Sequence, residues 1–333
     1  MGKKDDCLKW YLGNETIFAD FCNGVLYGGK KMILPQNLAE RQRFYREELR
    51  NRTGGKQRPG RERDVAKLLC RAEGFVMIAV ENQNDVNLCM PLRCMEYDLE
   101  DLLRQIRWMK RRYKREGGLE AGVEFLSGIK RTDRLIPTVT MVLFHGEGKW
   151  DAAKNLQEMM NLDGMDETLK KLLPEYKLHV IHLTELDENK FETGLRELIG
   201  MMKHRNSREE MQTYCREHAD RFESMDDHTY DLICTMLNMK SLEERKESCR
   251  SQERSRINMC KAFEDWAKEE RAKGKKEGKK EGIEIGEKRG EKRGEKRLSA
   301  LIARLMEEER IEDVKRVVGS LTERRKLYQE FGI

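Results

Sequence analysis

Residues 136–144 read IPTVTMVLF, with an apolar side chain at all but the two threonines and one proline. Such a run suits a strand buried on both faces, which in turn requires other elements layered above and below it. Its neighbours supply them. Residues 65–70 and 75–80 are mostly apolar and are separated by Arg71, Ala72, Glu73 and Gly74; Val76, Ile78 and Val80 alternate along the second, so the pair reads as a hairpin, with its second arm the clearer of the two. Residues 176–183 (YKLHVIHL) form another strand candidate. Between hairpin and buried strand lies an amphipathic helix over 93–115, in which Met95, Leu99, Leu102, Ile106, Met109 and Tyr113 repeat at steps of four and three. A first helix is expected over 8–27, where Trp10, Ile17, Phe21, Val25 and Leu26 recur near helical spacing until Gly28 and Gly29 stop them. Three glycines and a proline make residues 51–60 a loop. The order helix, hairpin, long helix, strand, strand predicts an α/β fold with a mixed sheet, its strands near 64–70, 75–82, 137–144 and 177–183.

Beyond about residue 190 no further strand is expected, and 191–270 reads as several helices. Gly274, Gly278, Gly282, Gly286, Gly290 and Gly294 then recur every four residues among Lys, Arg and Glu. Each glycine opposes helix by ~1 kcal/mol relative to alanine, against a few tenths for a Glu–Lys pair, so this stretch reads as a flexible tether or frayed helix. Apolar periodicity returns at Leu298, Ile302, Leu305, Val314, Val317, Val318 and Leu321, which suits a small terminal helix pair. The expected division is therefore an α/β domain over 1–205, a helical extension over 206–270, the glycine repeat over 271–297 and the helix pair over 298–333.

Composition bears on class. Hydrophobic residues make up 38% of the 333, enough for a core, and charged residues another 38%, well above the usual quarter, so long solvated helices are expected. A net charge of +5 says little about partners by itself. Nine cysteines, an odd number with no pair at C-x-x-C spacing, point away from a zinc finger and towards reduced thiols. No apolar run approaches the ~20 residues that cross a bilayer, and the N-terminus has no apolar signal segment, so a soluble, cytoplasmic protein without membrane contact is expected.

Hydrolysing a phosphodiester needs acidic side chains at strand ends to hold a metal, with room left for water and substrate. Asp64 opens the first hairpin strand, and Glu81 and Gln83 close the second. A hairpin of this length brings the start of one strand beside the end of the other. Glu81 and Gln83, two apart, point to one face. Asp64 and Glu81 can then share a cation while Gln83 orients a water or a phosphate. The spacing alone also fits charged residues that merely flank strands. His179 and His182, three apart on a strand, face opposite sides and do not suit a shared metal.

Several separated segments carry a resemblance. Residues 14–29 (NETIFADFCNGVLYGG), Arg63-Asp64-Val65 followed by Val80-Glu81-Asn82-Gln83, Met90-Pro91-Leu92-Arg93 with Tyr97-Asp98, Phe125-Leu126-Ser127-Gly128 and 136–144 together resemble the Rpn-like, or putative transposase, family of PD-(D/E)XK nucleases. The likeness runs over roughly residues 10–205, and the glycine-repeat tail is similar to that of the same group. It implies a restriction-endonuclease-like mixed sheet flanked by helices. It also implies cleavage of double-stranded DNA with Mg²⁺ (or Mn²⁺), linked to recombination or mobile elements. By position, Asp64 and Glu81 are then the metal ligands, and Gln83 stands where the motif usually has lysine. Glutamine is neither a general base nor a cation, so a lysine from elsewhere or the metal-activated water must compensate. Asp20 on the first helix supplies a further acidic group, or else belongs to that helix's solvated face. Gln105 resembles a glutamine at the edge of such sites, or is an ordinary polar residue of its helix.

Arg104, Arg107, Lys110, Arg111, Arg112, Lys114 and Arg115 follow one another with no acid between 104 and 115. A solvated face is the commoner origin of such a run, but a face this uniformly positive suits DNA phosphates, and the first five are the residues expected to make that contact. The C-terminal helices leave room for a homo-oligomer. Two other readings stand beside the nuclease: an inactive DNA-binding accessory protein of a mobile element with the same fold, supported by Gln83, and a helical scaffold built around the charged tail, which leaves the strand-rich middle unexplained.

Overall fold

The computed structural model describes residues 2–40, 63–72, 74–251 and 256–333; the loop expected at 51–60 lies outside them. Two compact units divide the chain, Met1–Phe263 and Glu264–Ile333. In the first, two helices, α1 (Lys3–Leu12) and α2 (Glu15–Tyr27), precede the strands β1 (Leu38–Glu40), β2 (Val65–Arg71) and β3 (Gly74–Gln83). Helices α3 (Met90–Glu116) and α4 (Gly122–Ser127) lead to β4 (Thr138–Phe144), and α5 (Glu167–Lys170) to β5 (His179–His182). Helices α6 (Leu195–Lys203), α7 (Arg208–Glu217), α8 (Ala219–Phe222), α9 (Asp227–Met236) and α10 (Lys240–Glu243) follow.

The five strands form one sheet in the order β1-β2-β3-β4-β5. The first three are antiparallel, whereas β4 runs parallel to both β3 and β5. The sheet is thus mixed and flanked by helices, as the apolar pattern requires. Met141, Val142, Leu143 and Phe144 of β4 are all buried, the signature of a strand covered on both faces. Val142 and Phe144 pack with Met90, Cys94, Trp150 and Leu178. The three-residue β1 carries no alternation long enough to be read from sequence.

Three local expectations are corrected. The single helix over 8–27 is two, because Gly13 ends α1 and the side chain of Asn14 caps α2, its Oδ1 accepting from the amides of Thr16 (2.9 Å) and Ile17 (3.3 Å). The buried stripe of α3 is Cys94, Tyr97, Asp101, Gln105 and Tyr113 rather than the apolar series that includes Leu99, which is 50% exposed. That face is polar because it closes over the charged network described below. Finally, the glycine repeat lies within one helix, α11 (Met259–Glu307). Among the described residues nothing lies within 4 Å of the position of a Cβ at any of the six glycines. Local ion pairs such as Lys273–Glu269 (3.1 Å) offset part of what the glycines lose.

In the second unit, α12 (Ile311–Gly319) and α13 (Leu321–Glu330) complete a small core of Leu301, Leu305, Val317 and Leu327. All nine cysteines are free. Among the described residues no helix is long and apolar enough to cross a membrane.

Candidate active site

The hairpin register decides where the acidic residues stand. Val65 pairs with Val80, so the next step outward sets Asp64 beside Glu81. Asp64 is tied to the end of β3 by its own carboxylate, whose Oδ2 accepts from the amide of Asn82 (2.8 Å). Glu81 is fully buried in the middle of the sheet, between β2 and β4. Neither of its oxygens meets a donor at hydrogen-bonding geometry, and Oδ1 of Asp64 also lacks one. Two neighbouring carboxylates therefore leave three buried oxygens unsatisfied, an arrangement that costs several kcal/mol in a folded chain unless a proton or a cation compensates it.

The electrostatics follow. Burial, reinforced by the charge of Asp64, pushes the Glu81 carboxyl up from its ordinary 4.5 to about 7. Burial also raises Asp64, against the amide of Asn82 and the positive charges of Lys9 and Arg93, which lower it. Arg93 approaches Glu81 most closely, Nη2 to Oε2 at 3.8 Å, too long for a hydrogen bond.

A second layer fixes these groups. Arg63, buried just before Asp64, donates to Asp98 (2.5 Å) and to the Thr140 hydroxyl (2.6 Å), and its Nε lies 3.1 Å from Asp101. Asp98 also accepts from Tyr176 (2.5 Å) and Thr140 (2.6 Å). The Tyr97 ring lies between two guanidinium groups, Arg63 at 5.5 Å and Arg93 at 5.7 Å, and its hydroxyl accepts from Arg93 Nε (3.1 Å). This network joins the start of β2, α3, β4 and the approach to β5, and so holds the edge on which Asp64 and Glu81 sit. Helix α1 bounds the same edge. Asp5 accepts or shares a hydrogen bond with His145 Nε2 (3.0 Å), and the His145 amide donates to Gln83 O (3.0 Å). Gly146 is needed beside it, since a Cβ there would lie 1.8 Å from the carbonyl oxygen of Asn84.

The structure thus brings Asp64 and Glu81 together and leaves Gln83 at the end of β3, half-buried, its amide donating to the Asn82 carbonyl (2.7 Å). Asp20 has other partners. Its carboxylate accepts from the amides of Glu192 (3.1 Å) and Thr193 (2.9 Å) and from the Thr193 hydroxyl (2.6 Å), and so anchors the chain that enters α6. Gln105 clamps the chain before β4, donating to Ile136 O (3.1 Å) and accepting from Ile136 N (2.7 Å). On α3, Arg107, Lys110 and Arg111 are exposed and Arg104 and Arg112 half-buried. Arg112 stacks over Trp108 (5.0 Å) and Tyr113 (4.7 Å). Sequence reading did not single out Arg63, Arg93, Asp98, Asp101, Thr140 or Tyr176 as builders of the site. The one available signal was that Arg63, Arg93, Tyr97, Asp98 and Thr140 fall within the resembling segments.

A model of the family described as putative transposase, YhgA-like, matches residues 66–232, half of the chain. The chain belongs to this family. The matched stretch holds Glu81, Gln83, α3, β4 and β5, and begins two residues after Asp64. No curated protein and no solved structure matches the chain.

A divalent cation fits the donor set in chemistry. Mg²⁺ is commonly held by one or two carboxylates, the rest of its shell being water and substrate oxygen. Asp64 Oδ1 and the two oxygens of Glu81 are buried carboxylate oxygens without a partner at hydrogen-bonding geometry. Among the described residues no cluster of three or more His, Cys, Asp or Glu gathers around a common point, so these two carboxylates would be the protein's share.

Proposed function

We propose that the chain is a metal-dependent endonuclease that hydrolyses phosphodiester bonds in double-stranded DNA, in keeping with a family associated with mobile elements. The observation that carries this reading is the buried Asp64–Glu81 pair, three of whose oxygens lack a partner at hydrogen-bonding geometry. Asp64 and Glu81 would hold Mg²⁺ or Mn²⁺. Such an ion, when bound, neutralises phosphate charge and makes a water a stronger nucleophile. The protein's own groups do the rest. The Asn82 amide holds Asp64 in place, Arg63 and Tyr97 fix the surrounding edge, and Arg93 stands near Glu81 and offsets part of its charge. Gln83 orients the water or a phosphate oxygen through its amide.

Arg104, Arg107, Lys110, Arg111 and Arg112 would grip the DNA backbone away from the scissile bond. They lie about 17 to 29 Å along the helix from Arg93 at 1.5 Å per residue, or roughly five to eight nucleotides at 3.4 Å each. The test is incubation of purified protein with supercoiled plasmid: nicking with Mg²⁺ or Mn²⁺ that EDTA stops supports the reading, and no nicking with any divalent ion overturns it. In that event the second reading, an inactive DNA-binding accessory protein of a mobile element, becomes the better one; the uncharged Gln83 at the strand end is what favours it.

A further inference from the structure

We propose that Lys9, reaching the Asp64–Glu81 edge from α1, supplies the positive charge that Gln83 cannot, and that its ammonium contacts the scissile phosphate. This inference rests on the nuclease reading. Charge makes the need plain. Two carboxylates and one divalent cation sum to zero, whereas a phosphodiester arrives with one negative charge and gains a second as water adds to phosphorus and gives up a proton to solvent. Something positive must meet that growing charge, and an amide carries none.

The cations around the pair are not equivalent. Arg63 is engaged by Asp98, Thr140 and Asp101. Lys67 is buried against Glu15 at 2.9 Å. Arg93 is held by the Tyr97 hydroxyl and turned towards Glu81. Lys9 makes no side-chain hydrogen bond or ion pair among the described residues, and it is half-buried. Its place is fixed by the fold. Leu8 and Leu12, on either side of it in α1, are fully buried, and the Tyr11 hydroxyl is bonded to Thr229 (2.8 Å). One turn earlier on the same face, Asp5 is bonded to His145, whose amide is bonded to the carbonyl of Gln83. Helix α1 therefore lies against the strand ends that carry the carboxylates, and Lys9 continues from Asp5 along that edge. The positive charges of Lys9 and Arg93 both lower the Asp64 carboxyl.

The experiment compares the parent chain with Lys9→Ala and Lys9→Arg, each confirmed folded by circular dichroism. Plasmid nicking with Mg²⁺ should fall on the order of a hundredfold in Lys9→Ala, the loss typical of removing one charge-stabilising donor, and should be largely restored in Lys9→Arg. Binding of a short duplex in EDTA, which needs no metal and no turnover, gives the independent readout. The slope of log affinity against log salt should be smaller by about 0.9 in Lys9→Ala, the value for one phosphate contact. An active parent with an equally active Lys9→Ala and an unchanged salt slope overturns this inference and leaves the nuclease reading standing. A parent that nicks with no divalent ion removes the nuclease reading and the inference with it.

Discussion

Glu81 should be a residue that weakens the fold it sits in. Its carboxyl is fully buried, has no donor at good hydrogen-bonding geometry and faces Asp64, so burial first and Asp64 second push it from 4.5 up to about 7. The sign is set by which state holds the proton more tightly. The folded chain binds it more tightly than the unfolded one, so the contribution is most favourable below pH 4.5 and is lost as pH rises through about 7. A difference of about 2.5 between the two values corresponds to roughly 3 kcal/mol, an upper figure for a coupled buried pair. Glu81→Gln keeps the shape of the protonated form and removes the charge. In EDTA the variant should match the parent at about pH 4 and be more stable by up to about 3 kcal/mol at about pH 8.5. Urea unfolding at both pH values measures this directly. A variant less stable than the parent at pH 8.5, or a difference that does not change with pH, would refute the reasoning that the charge at this position is unsatisfied in the metal-free protein.

Other consequences are simpler to state. Replacing Arg104, Arg107, Lys110, Arg111 and Arg112 together by Ala should weaken binding to all duplex sequences alike and flatten its salt dependence; an unchanged affinity and slope by fluorescence anisotropy would place DNA contact elsewhere. Asp20→Asn should lower thermal stability by about 1 to 2 kcal/mol, because its carboxylate caps the amides of Glu192 and Thr193, whereas a role in hydrolysis alone would leave the melting temperature unmoved. Changing the six repeat glycines to Ala should strengthen α11 by roughly 1 kcal/mol per site, since among the described residues a methyl meets nothing at any of them; an unchanged temperature for the loss of ellipticity at 222 nm would count against this.

Much of the sheet was legible because burial on both faces writes itself as an unbroken apolar run, as at 138–144, and half-burial as alternation, as along β3. The juxtaposition of Asp64 and Glu81 was legible for a related reason: residues that open and close a hairpin must meet. The network behind them was not. Arg63, Asp98 and Thr140 lie on three different elements, and only the folded sheet makes them neighbours. The face of α3 misled because its exposed side carries Leu92, Leu99 and Leu103 while the buried side carries Asp101 and Gln105, the reverse of the usual amphipathic rule. Lys9 was hidden in the same way, since nothing in the order of residues says that α1 will rest against the end of β3. The helix through the glycine repeat runs against local propensity, and its ion pairs offset only part of that.

The central claim is that Asp64 and Glu81 together hold the ion on which cleavage depends. Its most direct test is plasmid nicking with Mg²⁺ by the parent, Asp64→Asn and Glu81→Gln side by side, with circular dichroism showing that all three are folded. An amide cannot replace a carboxylate as ligand to a hard cation, so the parent should nick and both variants should be silent while still binding duplex DNA. Two variants that cut as fast as the parent would contradict the assignment of the site.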